Sequence, residues 1–502
     1  MELAPNSVRE WKILDPAVGS GHFLVVALGL LLALFQEEAK HRGLQGTPEW
    51  SQKAIVEHLL AHTLHGIDID PRAVQIAAAS LWLKGKSIRP EIEPEQLNLV
   101  APNLRLADLP DDDPALVELR SDIEVETGIA GEFTTQILQA LRGADHLGSL
   151  LKIDQAVDAA IDRQERRLKG LRIKAQEVQL DITGGVPPVQ EEMDFSAAAA
   201  RADIQELLEQ FLAHHSSASD LGLRLKGEQL ASGIRFVRSL SPSFYDLVIA
   251  NPPYQGNGKI FDTHYIEEKY ALGKAELYAS FLLRTLDLAR PAGLSALLSP
   301  RDWMSAQQYT GLRESVLAKR NLTLLADLGW GSFKEIKDVR VCMSVWRKIC
   351  PASLPTIVLA PTGVKPSGRT LEDYEQKASG LLLGVERFSS VLSSLSRIKE
   401  WPLIYWWKED MLTLFDSYQP LGERCPVRNG LSTQDNTRFL RSIWEVKNVM
   451  TCVHRNPADS DWALYIKGAA GRAWLEDARD VIRWVAHGIE VKVFNEAMYG
   501  SY

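Results

Sequence analysis

The sequence predicts an α/β protein: a Rossmann-like doubly wound sheet, an inserted helical hairpin and a C-terminal mixed α/β region. Three observations carry this. A short strand, Lys12-Ile13-Leu14, runs into a glycine turn and then a long apolar helix, which is the opening unit of a doubly wound sheet. A second strand-helix unit follows within the first 110 residues. The apolar strand Tyr245 to Ala250 then resumes the pattern after a long charged stretch of helical periodicity.

The first strand enters Asp15-Pro16-Ala17-Val18-Gly19-Ser20-Gly21-His22-Phe23-Leu24. The apolar run Phe23 to Phe35 is shorter than a membrane span and follows a glycine turn, so it reads as a buried helix. A helix near Gln52 to His62 leads to a second strand, Leu64 to Ile69, and Pro71 opens the next helix in a favoured first-turn position. Leu99 to Leu106 suits a third strand ending at Ala107-Asp108, and Asp111-Asp112-Asp113 marks a break. Helical periodicity at 133–180 and 197–240, around the turn Gly184 to Pro188, predicts the hairpin, either as scaffold or as a DNA contact. An amphipathic helix is expected over 276–290, with strands at Ser295 to Leu298, Thr323 to Asp327 and Arg340 to Trp346. Beyond 380 the chain is rich in tryptophan: Trp401, Trp406, Trp407, Trp444, Trp462, Trp474 and Trp484. The expected division is 1–110 and 241–380 for the two parts of the sheet domain, 111–240 for the insertion and 381–502 for a separate domain.

The 502 residues are 45% apolar and 24% charged, enough for two or three packed domains. The net charge of -9 argues against a small basic nucleic-acid module, but a local basic face on a large enzyme remains compatible with it. Cys342, Cys350, Cys425 and Cys452 form no Cys-x-x-Cys pair. They read as reduced thiols in a cytoplasmic protein, with no metal site.

Two constellations carry chemistry. Gly19-Ser20-Gly21 lets backbone approach a ligand at a helix N-terminus. Alone it fits a dinucleotide, S-adenosylmethionine or only a tight turn, although the third glycine of the dinucleotide spacing is missing. Asp15, at the strand end, is placed to face an ammonium. In Gly66-Ile67-Asp68-Ile69-Asp70-Pro71, Asp68 suits a ribose diol, whereas Asp70 either binds ligand or caps the helix that Pro71 begins. Asp108 reads either as an acceptor for an adenine amino group or as a solvated turn residue. The second constellation is Asn251-Pro252-Pro253-Tyr254 after an apolar strand. An exocyclic amino nitrogen is a poor nucleophile because its lone pair is conjugated into the ring. An amide oxygen and a nearby carbonyl each accept one N–H bond and free that pair. Two prolines stiffen the loop and present carbonyls without competing donors, and Tyr254 offers a face for a base flipped out of the duplex.

These motifs resemble the cofactor and catalytic motifs of adenine-specific N6 DNA methyltransferases of the gamma arrangement, in their order. Glu276 to Phe281, Gly293 to Pro300 and Asp302-Trp303 resemble the segments that follow. Gly331-Ser332-Phe333 resembles the motif whose aromatic residue stacks on the flipped adenine, a role carried to Phe333. Gly430 to Phe439 is similar to the start of the recognition region in large type IIG restriction-modification enzymes. Lys467-Gly468-Ala469-Ala470-Gly471-Arg472-Ala473-Trp474 is similar to a segment of PglX-like methyltransferases of BREX phage defence, loosely at Ala469 and Ala473.

The resemblance implies a Rossmann-like methyltransferase sheet, S-adenosylmethionine held by Asp15, Pro16, Ala17, Gly19, Gly21, Phe23, Asp68, Ile69 and Asp108, and catalysis by Asn251, Pro252, Pro253 and Tyr254. Thr433, Asn436, Arg438, Lys467 and Arg472 would contact double-stranded DNA. Separately, Arg424, Arg428, Arg438, Arg441 and Lys447 outnumber nearby acids, which fits either salt-sensitive phosphate contact or a solvated surface. Only fourteen residues precede the cofactor motif, where the family has a helical region, and the recognition region stops at Tyr502. The expectation is a fragment or split gene product, partnered by its missing parts or by other defence subunits. Two other functions use the same residues. A protein-glutamine methyltransferase shares Asn-Pro-Pro-Tyr because a planar amide poses the same lone-pair problem, but its members are shorter and lack a large C-terminal domain. The third reading is a catalytically silent DNA-binding subunit.

Overall fold

The computed structural model describes residues 7–102, 141–153, 235–259, 262–333, 339–351, 354–361, 371–425, 431–446, 461–466 and 479–499, with scattered positions at 112–139 and 232–233. Asp108, Lys467, Arg472 and most of the expected hairpin lie outside these. The chain divides into two compact units, Met1–Asp416 and Ser417–Tyr502.

The first unit is built on a nine-stranded sheet: β1 (Ile13–Asp15), β2 (Leu64–Ile67), β3 (Asn98–Val100), β4 (Tyr245–Ala250), β5 (Ala289–Pro300), β6 (Asn321–Gly329), β7 (Val341–Arg347), β8 (Thr356–Leu359) and β9 (Arg387–Ser390). Their order is β3-β2-β1-β4-β5-β7-β6-β8-β9. β3, β2, β1, β4 and β5 run parallel. β7 runs antiparallel to both its neighbours. This is the doubly wound sheet, and its switch point lies between β1 and β4, where strand order reverses.

The central strands are covered on both faces, so they read as apolar runs without polar alternation. Ile13 packs with α1 (His22–His41), α2 (Gln52–His58) and α3 (Pro71–Ile88) on one face, and Leu14, Val248 and Ala250 belong to the large cluster on the other. α1 has 20 residues, longer than the apolar run alone predicts. Its last turn is extended by Glu38–Arg42 and Glu37–His41 contacts one turn apart. By length and composition it is apolar enough to cross a membrane. Leu24, Leu28, Leu31 and Phe35 are buried against the sheet instead, while Val26 and Leu30 face outward.

The strand after β2 is shorter than expected. β3 begins at Asn98 and ends at Val100, just before Pro102, which has no N–H for a ladder. The helix expected to be amphipathic, α4 (Leu277–Leu288), is buried on nearly every side. Its polar residues are turned inward onto specific partners. Ser295 Oγ donates to Thr285 Oγ1 at 2.8 Å. The fully buried Arg284 donates to the carbonyls of Ser149 at 2.9 Å, Leu151 at 3.2 Å and Leu240 at 3.4 Å. Two segments of the expected insertion, at Ser149–Leu151 and at Leu240, are thereby tied to the sheet domain.

Two further helices of the first unit are α5 (Thr310–Lys319) and α6 (Leu371–Leu383). Residues 381–416, expected in the C-terminal domain, lie in the first unit. β9 pairs with β8 there, and Leu392, Leu395, Leu403, Tyr405 and Leu412 join the main core. The second unit holds a three-stranded antiparallel sheet of β10 (Leu440–Ser442), β11 (Trp462–Tyr465) and β12 (Asp480–Arg483) over Phe439 and Val491.

Arg284→Met keeps the unbranched apolar stem but leaves buried carbonyls without donors. It should cost about 3 kcal/mol, read as a lowered thermal midpoint of the full chain.

Candidate functional site: the switch-point crevice

Ligands of open α/β sheets bind beyond the carboxyl ends of the strands at the switch point. Here those ends belong to β1 and β4, paired through Ile13↔Leu247 and Leu14↔Val248. Asp15 closes β1 and Asn251 follows β4, so both expected motifs open into one crevice.

The β1 turn is fixed by backbone bonds to β2. Val18 N–H donates to the Ile67 carbonyl at 2.9 Å. Gly19 N–H donates to Asp68 Oδ2 at 2.8 Å, and Asp70 N–H to Asp68 Oδ1 at 3.0 Å. Each carboxylate oxygen of Asp68 keeps further acceptor capacity. Gly21 caps α1 at φ +83°, and a Cβ there would lie 3.0 Å from Ala77 Cβ, so α1 and α3 meet at this glycine. Gly19 has φ +52°, yet a Cβ there would meet nothing within 4 Å. The space over Gly19 at the N-terminus of α1 is therefore open. Phe23 lies half-buried one residue into α1, and Ile69 is 49% exposed. Pro16 is anchored from below, where its carbonyl accepts from Ser149 Oγ at 2.8 Å. Asp70 caps α3, accepting from Arg72 N–H at 2.9 Å, and pairs with the Arg72 side chain.

Asp15 is 2% exposed and forms the floor of the turn. It accepts from Ala17 N–H at 3.1 Å. Burial pushes its carboxyl up to about 7, and the nearby Asp68 adds to the rise while the Ala17 bond opposes it. A buried acid poised near neutrality at a switch point is a mark of a ligand site.

On the other side, Asn251 is exposed, Pro252 buried and Pro253 exposed. The Tyr254 hydroxyl donates to Asn251 Oδ1 at 3.0 Å, orienting the amide. Burial raises the Tyr254 pKa, keeping it a neutral donor. The loop is held from beyond by Leu277 N–H donating to the Gln255 carbonyl at 2.9 Å. Tyr254 and Phe333 both pack against the cluster of Ala326, Leu328 and Val341. The two aromatic residues proposed to face a base are thus brought together, although 79 positions separate them in the chain.

Sequence reasoning passed over four residues here. Arg301, just past β5, pairs with the buried Asp327 at 2.8 Å, and the Tyr405 hydroxyl donates to the same carboxylate at 2.9 Å. Lys377 on α6 reaches the loop before Phe333. Single charged residues far apart in sequence carry no local signal. In the second unit, Thr433 donates to Asn436, and Arg438 pairs with Glu490 at 3.0 Å and stacks over Phe439 and Phe494. These three serve contacts within their own unit.

Comparisons with known proteins bear on this arrangement. The model of the Eco57I restriction-modification methylase family matches residues 62–333, more than half of the chain. The model of the MmeI DNA-methyltransferase domain matches residues 3–109. The chain is 23% identical over 506 residues to the adenine-specific methyltransferase PglX of Lacticaseibacillus casei (strain Zhang), covering 97% of this chain and 36% of that protein. It is 24% identical over 517 residues to the adenine-specific methyltransferase BrxX of Escherichia coli O9:H4 (strain HS), covering 98% and 37%. The chain spans somewhat over a third of the length of these curated relatives. Among solved structures, the DrdV–DNA complex is similar over 80% of this chain and 28% of that one, at 13% identity and a TM-score of 0.43.

The raised Asp15 pKa has a definite sign for stability. The folded chain keeps a proton that the unfolded chain loses above its usual value of 3.8. Burial therefore costs stability progressively between pH 4 and 7, and fully above about 7. Asp15→Asn should be more stable than wild type at pH 8, by up to about 4 kcal/mol. The gap should close toward pH 4 in thermal melts run without ligand.

Proposed function

From the premise that this chain belongs to the Eco57I restriction-modification methylase family, we propose that it methylates adenine N6 in double-stranded DNA, using S-adenosylmethionine, in restriction-modification or phage defence. This is the activity of a site-specific, adenine-specific DNA methyltransferase. The observation that carries the reading is Asn251-Pro252-Pro253-Tyr254 at the β4 end, beside the glycine turn of β1 at one switch point. The relatives PglX and BrxX bear the name adenine-specific methyltransferase, which supports the same chemistry.

The residues present fit the cofactor. Gly19 leaves open space beside a helix N-terminus, and Asp68 retains acceptors for a ribose diol. Asp15 is the acid that would meet the ammonium of the methionine part, with Pro16, Ala17, Gly21, Phe23 and Ile69 shaping the wall. Bound, the cofactor supplies an electrophilic methyl group on a sulfonium. Asn251 Oδ1 and the Pro252 carbonyl each accept one N–H of the adenine amino group, which draws its lone pair out of conjugation. The Tyr254 hydroxyl holds the amide in the accepting orientation. Tyr254 and Phe333 flank the flipped base. The proton leaves after transfer, so no strong base is needed.

The second unit, with Thr433, Asn436, Arg438, Lys467 and Arg472, is the proposed DNA contact. The remainder of a longer polypeptide or other defence subunits would complete the assembly. The reading puts the protein in the cytoplasm, where its substrate is.

Two measurements test it. Tritiated methyl transfer from S-adenosylmethionine to unmethylated DNA should fall about 100- to 1,000-fold in Asn251→Ala, the scale of losing one preorganised hydrogen-bonding group. Label appearing on protein and not on DNA would instead favour a glutamine methyltransferase, and cofactor binding without transfer a silent subunit. Gly19→Ala places a methyl into the open space. It should weaken S-adenosylmethionine binding at least about tenfold while costing only about 1–2 kcal/mol of fold stability. Equilibrium dialysis beside a melting curve separates these effects, and equal losses in both would remove Gly19 from the cofactor site.

A further inference from the structure

α6 lies against the loop that leads from β6 to Phe333. Its Lys377 is 7% exposed. The ammonium donates to the Leu328 carbonyl at 2.6 Å and also to the Trp330 carbonyl. One turn further along the same face, Leu381 packs on the cluster of Ala326, Leu328 and Val341, where Tyr254 and Phe333 also rest. The loop is held from a second direction. The Arg340 guanidinium sits 5.3 Å from the Trp330 ring centroid and pairs with Asp302 at 3.0 Å. Within the loop, Ser332 Oγ donates to the Gly329 carbonyl at 3.3 Å.

Burying an ammonium costs several kcal/mol unless its donors are used. An apolar residue would fill this place on α6 without that cost. What the ammonium adds is a clamp across two carbonyls on either side of Gly329, at the point where the chain leaves the sheet. Three residues beyond the second carbonyl stands Phe333.

We propose that Lys377 is a positioning residue for the target base: its ammonium straps the 328–330 turn so that Phe333 is held beside Tyr254 in the geometry that receives a flipped adenine. This rests on the adenine-methylation reading above. Lys377 would act through Phe333 and not by its own contact with the base.

The test uses the full chain. In Lys377→Met, hydrogen exchange of the peptide spanning 328–333 should accelerate, while peptides spanning 12–26 exchange as in wild type. The kcat for tritiated methyl transfer to unmethylated genomic DNA should fall about 10- to 100-fold, with KM for S-adenosylmethionine unchanged. Lys377→Arg, which keeps donors for both carbonyls, should recover the protected exchange and part of kcat. If Lys377→Met melts below the assay temperature, Lys377→Gln takes its place with the same expectations. Unchanged exchange at 328–333, or unchanged kcat, would overturn the proposal. So would a variant in which KM for S-adenosylmethionine rises as kcat falls, since that reports a general loss of structure. A wild-type chain that labels no DNA would overturn the functional reading, and the base-positioning role with it. The exchange comparison reads the strap in either case, so the two failures are distinguishable.

Discussion

The parallel pairing of β1 with β4 is the constraint on which the rest depends. The strands are joined across more than 200 residues of chain, and the junction is secured at its base as well as along the ladder. Lys12 N–H donates to Asp246 Oδ2 at 2.8 Å, and Asp246 is in turn paired with Arg290 at 2.5 Å. With those strands side by side, everything beyond their carboxyl ends shares one crevice. A turn that suits a ligand with an adenosine part and a loop that suits a planar amino group become neighbours only through this pairing.

Buried charge is then used to fix loops more than to stabilise the fold. Arg284 satisfies carbonyls of Ser149, Leu151 and Leu240, Lys377 those of Leu328 and Trp330 about the end of β6, and Arg313 those of Trp303, Ala306 and Glu400. Each is a cation that donates to backbone oxygens at strand ends, short 3-10 turns and loops, where regular ladders leave acceptors to satisfy. Asp327 belongs to the same logic with opposite sign, gathering Arg301 and Tyr405 at the end of β6. A sheet whose candidate site is built from loops needs such anchors, because the loops lack cores of their own. Asp15 differs in kind. Its carboxyl is buried with one backbone donor, and it pays for the fold in pH-dependent stability.

What was legible in the sequence followed from local pattern. The glycine turn, Asp68 and Asn251 each sit at the end of an apolar strand, and the structure has them there. Pro71 with Asp70 before it begins α3. What was illegible depends on contacts distant in sequence. The periodicity of 276–290 suggested a solvent-facing side, but the segments at Ser149–Leu151 and Leu240 cover that side and take its arginine. The extension of the sheet to β8 and β9 left residues 381–416 in the first unit, where Trp401 and Trp407, two of the tryptophans that suggested a new domain, pack against the main core. Thr433, Asn436 and Arg438 lie close together, as their spacing of a few residues predicts, but their hydrogen bonds and stacking are internal to the second unit.

The measurement that bears most directly on the shared crevice is ultraviolet crosslinking of methyl-tritiated S-adenosylmethionine to the full chain, followed by peptide mapping. A single bound cofactor lying across β1 and β4 would label peptides spanning 12–26 and 245–259, and Gly19→Ala would reduce both together. Label confined to one of these segments and unaffected by that substitution, or label elsewhere in the chain, would contradict the account.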